Sequence, residues 1–285
     1  MKTIGYVSYQ DNPNDPDPDL DIPFLVPALE ALGNNVNVIN WQTTTNFFEY
    51  DLLVIRSPWD YAQNYNQFHN WLHLADSQVK VINPGPVINE NIDKRYLLKL
   101  AAAGIEIIPT QVLQSIADLS DIALHDGKMV MKPVIGAGAR GAFIVDDGSN
   151  LEDLCQKHFS ATDMPLLVQP YLKEVDHPGE IAVVCCRGEI MHSIIKRPAL
   201  SDGGHGDFAA NVDNSAELTE FIHQVMEFEI AGSRVSELVY SRIDVVPTAE
   251  GFKLMELELI EPFLFLPMNP ESTQVFATAI HNSID

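Results

Sequence analysis

Basic residues are scarce in this 285-residue chain, where 17 lysines and arginines stand against 40 aspartates and glutamates for a formal net charge of −23. Charge of that sign repels nucleic acid and anionic membranes, so neither is expected as a partner, and small molecules are. Cysteine is rare too. Cys155, Cys185 and Cys186 are odd in number and two are adjacent, which is no basis for a disulfide framework and no metal-site spacing. No run of 18 apolar residues occurs, and the N-terminus MKTIGYVSYQD reaches Asp11 before an apolar region of export-signal length can form. A soluble, cytoplasmic protein is the expectation. Repeats and low-complexity tracts are absent. What is present is ordinary globular composition, 46% hydrophobic and 20% charged, in a chain long enough for two or three lobes.

Short apolar runs (3–7, 36–39, 52–55 and 79–82) alternate with stretches of helical period (24–32 and 68–74), which predicts βαβ units on a small parallel sheet. That lobe ends near Asn83-Pro84-Gly85-Pro86, giving a first lobe over 1–88. Between its first strand and helix lies DNPNDPDPDLD, read as a solvated loop with cation binding as the alternative. A helix over 90–103, closed by Gly104, and a strand-rich segment form a second lobe over 89–168. The third, 169–285, is expected to hold strands at 180–186, 189–195, 238–246 and 253–260 and helices at 215–230 and 271–280. The fold class is therefore α/β plus α+β.

The most informative stretch is SRIDVVPTAEGFKLMELELIEP, residues 241–262. Two apolar runs joined by a turn signal read as a hairpin, with Glu256 and Glu258 on one face and Met255, Leu257 and Leu259 on the other. Asp244 on the first run would bring a third carboxylate to the same point. Such hard oxygen ligands suit Mg²⁺ or Mn²⁺, typically held together with substrate phosphates. The bland alternative is an edge hairpin with a solvated acidic face.

Phosphate-binding elements are sought among the few cations, seven of which (Arg56, Lys94, Lys132, Arg140, Lys196, Arg197 and Arg242) fall in or beside the segments of interest. Gly136-Ala137-Gly138-Ala139-Arg140-Gly141 matches G-x-G-x-x-G, but the β-like Ala142 to Val145 follows where a dinucleotide-binding turn needs a helix. The lysine of a P-loop is missing as well. Strand, glycine loop, strand reads as a flap that can lay backbone N–H groups over phosphates. Lys132 precedes it inside an apolar run and Lys94 sits on the earlier helix. A phosphate role for Lys132 competes with an ordinary surface lysine.

A lysine on a helix, a lysine before a glycine flap, the Gln169-Pro170-Tyr171-Leu172 segment and a terminal D…ExE hairpin together resemble the ATP-grasp superfamily, in particular its glutathione-synthetase-like branch, over roughly 93–262. The resemblance implies an ATP-grasp fold with two α+β lobes enclosing ATP, and a ligase that activates a carboxylate as an acyl phosphate for attack by an amine-type nucleophile. It assigns Lys94, Lys132, Gly136, Gly138, Arg140 and Gly141 to the phosphates, Gln169, Tyr171 and Leu172 to adenine, and Glu180 to the nucleotide side. Arg197 would stabilise the transferring phosphoryl group, and Asp244, Glu256 and Glu258 would hold the metal ions. The family usually has asparagine where Glu258 stands. The strings IRSPWDY, NIDKRYLL and MELELIEPFLFL also resemble O-ureido-serine cyclo-ligases and their uncharacterised relatives, in which ATP drives ring closure. Small-molecule acid and nucleophile are the implied partners, with a homodimer allowed. A non-catalytic ATP-binding module and a kinase-like phosphotransferase are the competing classes.

Ligands of parallel α/β sheets bind beyond the carboxyl ends of the strands. Arg56, Ser57 and Asp60, after the apolar run 52–55, are thus expected at the acid substrate, Arg56 on its carboxylate and Asp60 on an amine, unless Arg56 pairs with a structural acid.

Overall fold

The computed structural model describes residues 1–9, 18–123, 127–146, 148–196, 208–212 and 214–284. In chain order the first elements are β1 (Thr3–Ser8), α1 (Ile22–Ala31), β2 (Asn35–Asn40), β3 (Leu52–Ser57), α2 (Tyr65–Asp76) and β4 (Lys80–Ile82). The strands form a parallel sheet in the order β2-β1-β3-β4, and β3 is buried along its whole length, as a strand covered on both faces should be. The acidic loop departs from the expectation of a solvated segment at its C-terminal end. Asp19 accepts a hydrogen bond from the Tyr6 hydroxyl at 2.6 Å, and Asp21 is fully buried at the start of α1, bonded to the amides of Leu264 and Leu266 at 2.7 and 3.0 Å.

Next come α3 (Gly85–Asn91) and α4 (Tyr96–Ala102). The sequence suggests one continuous helix here, but the chain leaves helical geometry at 92–95 so that the Lys94 amide can donate to the Val134 carbonyl at 2.7 Å. The Val134 carbonyl, just past the strand Met129–Pro133, outcompetes the helical partner. Then come β5 (Gln111–Leu113), β6 (Met129–Pro133), β7 (Phe143–Val145), α5 (Leu151–Ala161) and β8 (Leu166–Pro170), the strands in an antiparallel sheet of order β5-β8-β6-β7. α5 was not expected in a strand-rich segment. Its signal is Asn150, whose side chain caps the Asp153 amide.

The last lobe holds β9 (Glu180–Cys186), β10 (Glu189–Lys196), β11 (Phe208–Asn211), α6 (Ala216–Met226), the short pair β12 (Glu229–Ile230) and β13 (Ser233–Arg234), β14 (Ser241–Thr248), β15 (Gly251–Glu258) and α7 (Ser272–His281). Its antiparallel sheet runs β11-β10-β9-β14-β15. α6 stops at Met226, short of the expected 230, because the chain turns into β12, and β14 begins at Ser241 instead of 238. Among the described residues no helix is long and apolar enough to cross a membrane.

Three side chains, two asparagines and a tyrosine, fix the outer end of β15. Asn91 donates to the Leu257 carbonyl and accepts from the Leu259 amide, the Tyr96 hydroxyl accepts from the Leu257 amide, and Asn83 donates to the Tyr240 and Leu259 carbonyls, all at 2.8–3.0 Å. These side chains satisfy an edge that would otherwise carry unpaired backbone groups. They also set the rotation of β15, and with it the direction in which Glu256 and Glu258 emerge.

Candidate active site

The β14–β15 hairpin pairs Asp244 with Glu256 and Arg242 with Glu258, with a register shift just after Asp244. Its loop is shorter than the turn signal suggested, since Pro247 and Thr248 continue β14. The three carboxylates do not gather at one point. Each is held by a cation: Glu256 by Lys94, Glu258 by Arg242, and Asp244 by both Lys196 at 2.7 Å and Arg242 at 2.8 Å. Among the described residues no three His, Cys, Asp or Glu side chains form a metal cage by themselves. Neutralising buried like charges pairwise relieves the repulsion that convergence would impose. Burial would raise the Asp244 carboxyl, but Arg242 and Lys196 hold it well below the usual carboxylate range. Lys196 also meets Glu180 at 2.6 Å. That meeting depends on Gly179, at φ 122°, where a Cβ would stand 2.7 Å from the Lys196 carbonyl oxygen.

Lys132 lies on β6 beside this network and differs from it. It is half-buried and makes no hydrogen bond or ion pair with any described residue. Burial, then the nearby Lys94 charge, pull its ammonium down to about 7. An uncompensated cation of this kind calls for an anion. The two lysines are adjacent because the break between α3 and α4 docks Lys94 on Val134, two residues past Lys132.

The glycine segment is a flap, as expected: β6 and β7 pair antiparallel and Gly136 to Gly141 connects them. Gly138 and Gly141 take φ values of 60° and 76°, and a Cβ on Gly141 would come 3.1 Å from the Pro133 ring. Arg140 reaches from the flap to the first lobe, donating to the Trp59 carbonyl at 2.6 Å. Gln169 ends up buried on β8 with its amide on the Thr110 hydroxyl. The Tyr171 amide is bonded to the Lys128 carbonyl, and Leu172 precedes a turn of 3₁₀ helix.

The first-lobe assignments are corrected. Arg56 is 1% exposed, ion-paired with Asp21 at 3.4 Å, bonded to the Pro262 carbonyl at 2.5 Å and stacked over the Tyr240 ring, so it cannot grip a substrate carboxylate. Ser57 is fully buried against Ser8, and Asp60 receives hydrogen bonds from Trp41 and Gln42. These groups build the junction between lobes. Arg197 lies outside the described residues.

Sequence reasoning gave no role to Lys196 and Arg242, which counter the acidic network, or to Glu261. Both cations stand beside the motifs in the sequence; only the cross-strand register shows which carboxylates they meet.

Comparison with known proteins adds a family. The domain described as "Prokaryotic glutathione synthetase, ATP-grasp domain" matches residues 98–263, and "D-cycloserine synthetase DcsG, N-terminal domain" matches residues 4–83. The chain is 27% identical over 280 residues to the cycloserine biosynthesis protein DcsG of Streptomyces lavendulae, covering 92% of this chain and 93% of that protein. It is 22% identical over 244 residues to a glutathione synthetase of Neisseria meningitidis, covering 82% and 74%. A crystal structure of D-cycloserine synthetase DcsG superposes with a TM-score of 0.86 at 24% identity, over 99% of this chain and 100% of that one, the same ATP-grasp fold.

Proposed function

We propose that this chain, which belongs to the prokaryotic glutathione synthetase ATP-grasp family, is an ADP-forming carbon–nitrogen ligase that activates a small-molecule carboxylate as an acyl phosphate for capture by an amine-type nucleophile. The observation that carries this reading is Lys132, a cation without a counterion among the described residues, beside a hairpin of paired carboxylates and on the strand that leads into the glycine segment. Phosphate oxygens of ATP are the anion it lacks.

A divalent cation, Mg²⁺ or Mn²⁺, suits the donor set. Asp244, Glu256 and Glu258 offer hard carboxylate oxygens, and the side chains of Glu256 and Glu258 are 24% and 25% exposed. Three carboxylates that do not close a cage alone agree with an ion held jointly with phosphates. Bound there, the cation would supply charge neutralisation across the transferring phosphoryl group. The protein's own part is positional. Lys132 and the backbone of Gly136 to Gly141 bind phosphates; Lys94, now on Glu256, is within reach of the same ligand; Gln169 to Leu172 border the base; and Glu180 fixes Lys196. Arg197, the residue after β10, is assigned to charge on the transferring group. The division into lobes at 88 and 168, and a cytoplasmic setting with the three cysteines reduced, belong to the same proposal.

The similarity to DcsG extends through both matched domains, which favours ring closure, with acid and nucleophile in one molecule, as the specific form of the reaction. The test is ADP and phosphate release across a panel of carboxylic acids with and without amines. Release that requires the acid and its nucleophile supports a ligase; release with an acid or alcohol alone and a stable phosphorylated product indicates a phosphotransferase; no release with any of them indicates a binding module.

A further inference from the structure

Among the described residues, six strands form the edges of the three larger sheets, and five of these edges are guarded. β4, β5 and β7 have three residues each and β11 has four, too short to template another strand. β15 is satisfied from outside by Asn91 and Tyr96, and its Leu254 carbonyl receives the Ile108 amide at 3.1 Å. β2 has neither protection. It is six residues long, keeps unbroken register with β1 from Asn35 to Asn40, and contains no proline, lysine or bulge.

Its outward backbone groups follow from the ladder. The Asn35 amide donates to the Lys2 carbonyl at 2.8 Å and the Trp41 amide to the Ser8 carbonyl at 3.1 Å, so the odd-numbered residues turn their backbone toward β1. Val36, Val38 and Asn40 turn theirs away. The Asn40 carbonyl takes the Thr43 and Thr44 amides at 3.3 and 3.0 Å, while among the described residues nothing bonds the outward N–H and C=O groups of Val36 and Val38. Side-chain cover runs out at the same place: Val36 packs on the core beneath α1, whereas Val38, on the same face, is 50% exposed. On the opposite face the side chains of Asn37 and Tyr50 are hydrogen-bonded, which holds the turn of Phe48 against β2 with that ring 88% exposed.

Charge singles out the occupant of this edge. Residues 31–48 contain no Asp, Glu, Lys or Arg, the longest such stretch in a chain whose net charge is −23. A basic partner is drawn to carboxylates elsewhere and gains nothing along this strip, and an acidic one is repelled by the whole molecule. A second copy brings the same uncharged strip. Antiparallel pairing about a two-fold axis is self-complementary, and it keeps the charged surfaces of the two copies away from the joint.

We propose that β2 is the contact through which this chain pairs with a second copy of itself, joining two four-stranded sheets into a continuous one. With the axis at Val38, each Val38 exchanges two backbone hydrogen bonds with Val38 of the partner subunit, and each Val36 faces Asn40 of the partner subunit. Lys132 and the β14–β15 hairpin belong to other sheets, so the pairing does not occupy the cleft.

Sedimentation velocity of the full chain over a range of concentrations tests this. An edge contact of this size should give a reversible dimer with Kd on the order of 10 µM. Because the two bodies carry like charge, the dimer should strengthen as salt rises from about 0.05 to 0.5 M. Val38→Lys and Val38→Glu each place like charges across the axis and should weaken pairing about 100-fold or more, with the thermal midpoint of the monomer unaltered. Val275→Lys, in the exposed groove with Met191 and Gln274, should leave the dimer as it is. In the unaltered chain, amide exchange at Val36 and Val38 should slow as concentration rises, and that at Asn35 and Asn37 should not; this decides the matter even where a variant unfolds. A monomer at every concentration overturns the proposal and leaves the edge for a strand of another protein. A dimer that survives both Val38 substitutions, that Val275→Lys abolishes, that salt dissolves, or that leaves the Val36 and Val38 amides unslowed overturns it too, since each places the contact or its driving force elsewhere.

Discussion

Two cations stand near the ends of strands in this molecule, Arg56 on β3 and Lys132 on β6, and their surroundings are finished in opposite ways. Arg56 is sealed between lobes against Asp21, the Pro262 carbonyl and the Tyr240 ring. Lys132 has charges around it and a bond to none of them. Position on a strand does not separate a structural cation from a functional one. Both sit where sequence patterning places ligand contacts, and only the presence or absence of a counterion tells them apart.

The comparison breaks first at Arg56. Its replacement by alanine leaves the Asp21 carboxylate buried without its cation, which should lower unfolding stability by about 3–5 kcal/mol in urea titrations. A loss under about 1 kcal/mol would show that the junction is not held by this pair. Asp21 already sits at about 6, raised by burial against the pull of Arg56, so removal of the arginine should raise it further.

At Lys132 the effect should fall on binding and spare the fold. Lys132→Met removes a cation that lacks a partner, so the midpoint of thermal unfolding should hold or rise, whereas ATP affinity by calorimetry should drop about 100-fold, the scale of a lost charged contact. A large loss of stability with intact ATP binding would place Lys132 in the class of Arg56.

How far the sequence carries can be seen at the same two places. The apolar runs of β3, β9 and β10 are legible because their periodicity is local, and so is the flap, because strand, glycines and strand follow one another. The break between α3 and α4 is not, since a carbonyl 40 residues away, that of Val134, takes the Lys94 amide. Nor is the fate of Arg56, whose partners Asp21 and Pro262 come from the two ends of the chain. Glu256 and Glu258 are readable as a pair on one face of a hairpin. That each would face a cation in place of the other carboxylates follows from the register of β14 on β15 and the docking of Lys94, which periodicity does not contain.

A smaller effect sharpens the contrast through pH. The Lys132 ammonium is held down to about 7 by burial and Lys94. Phosphate binding favours the charged form, so ATP should be bound with uptake of a proton above pH 7, and affinity should fall as pH rises from 7 to 9 by up to about tenfold per unit. Calorimetry in buffers of different ionisation enthalpy measures this uptake. It should vanish in Lys132→Met; uptake that persists there belongs to another group.

The central claim is that the carboxylate is activated by phosphorylation. Once an acid substrate is found by ADP release, the direct measurement is turnover of that acid with ¹⁸O in its carboxyl group, followed by mass analysis of the released phosphate. Passage through an acyl phosphate predicts one ¹⁸O transferred to phosphate for each ADP formed. Unlabelled phosphate would contradict it.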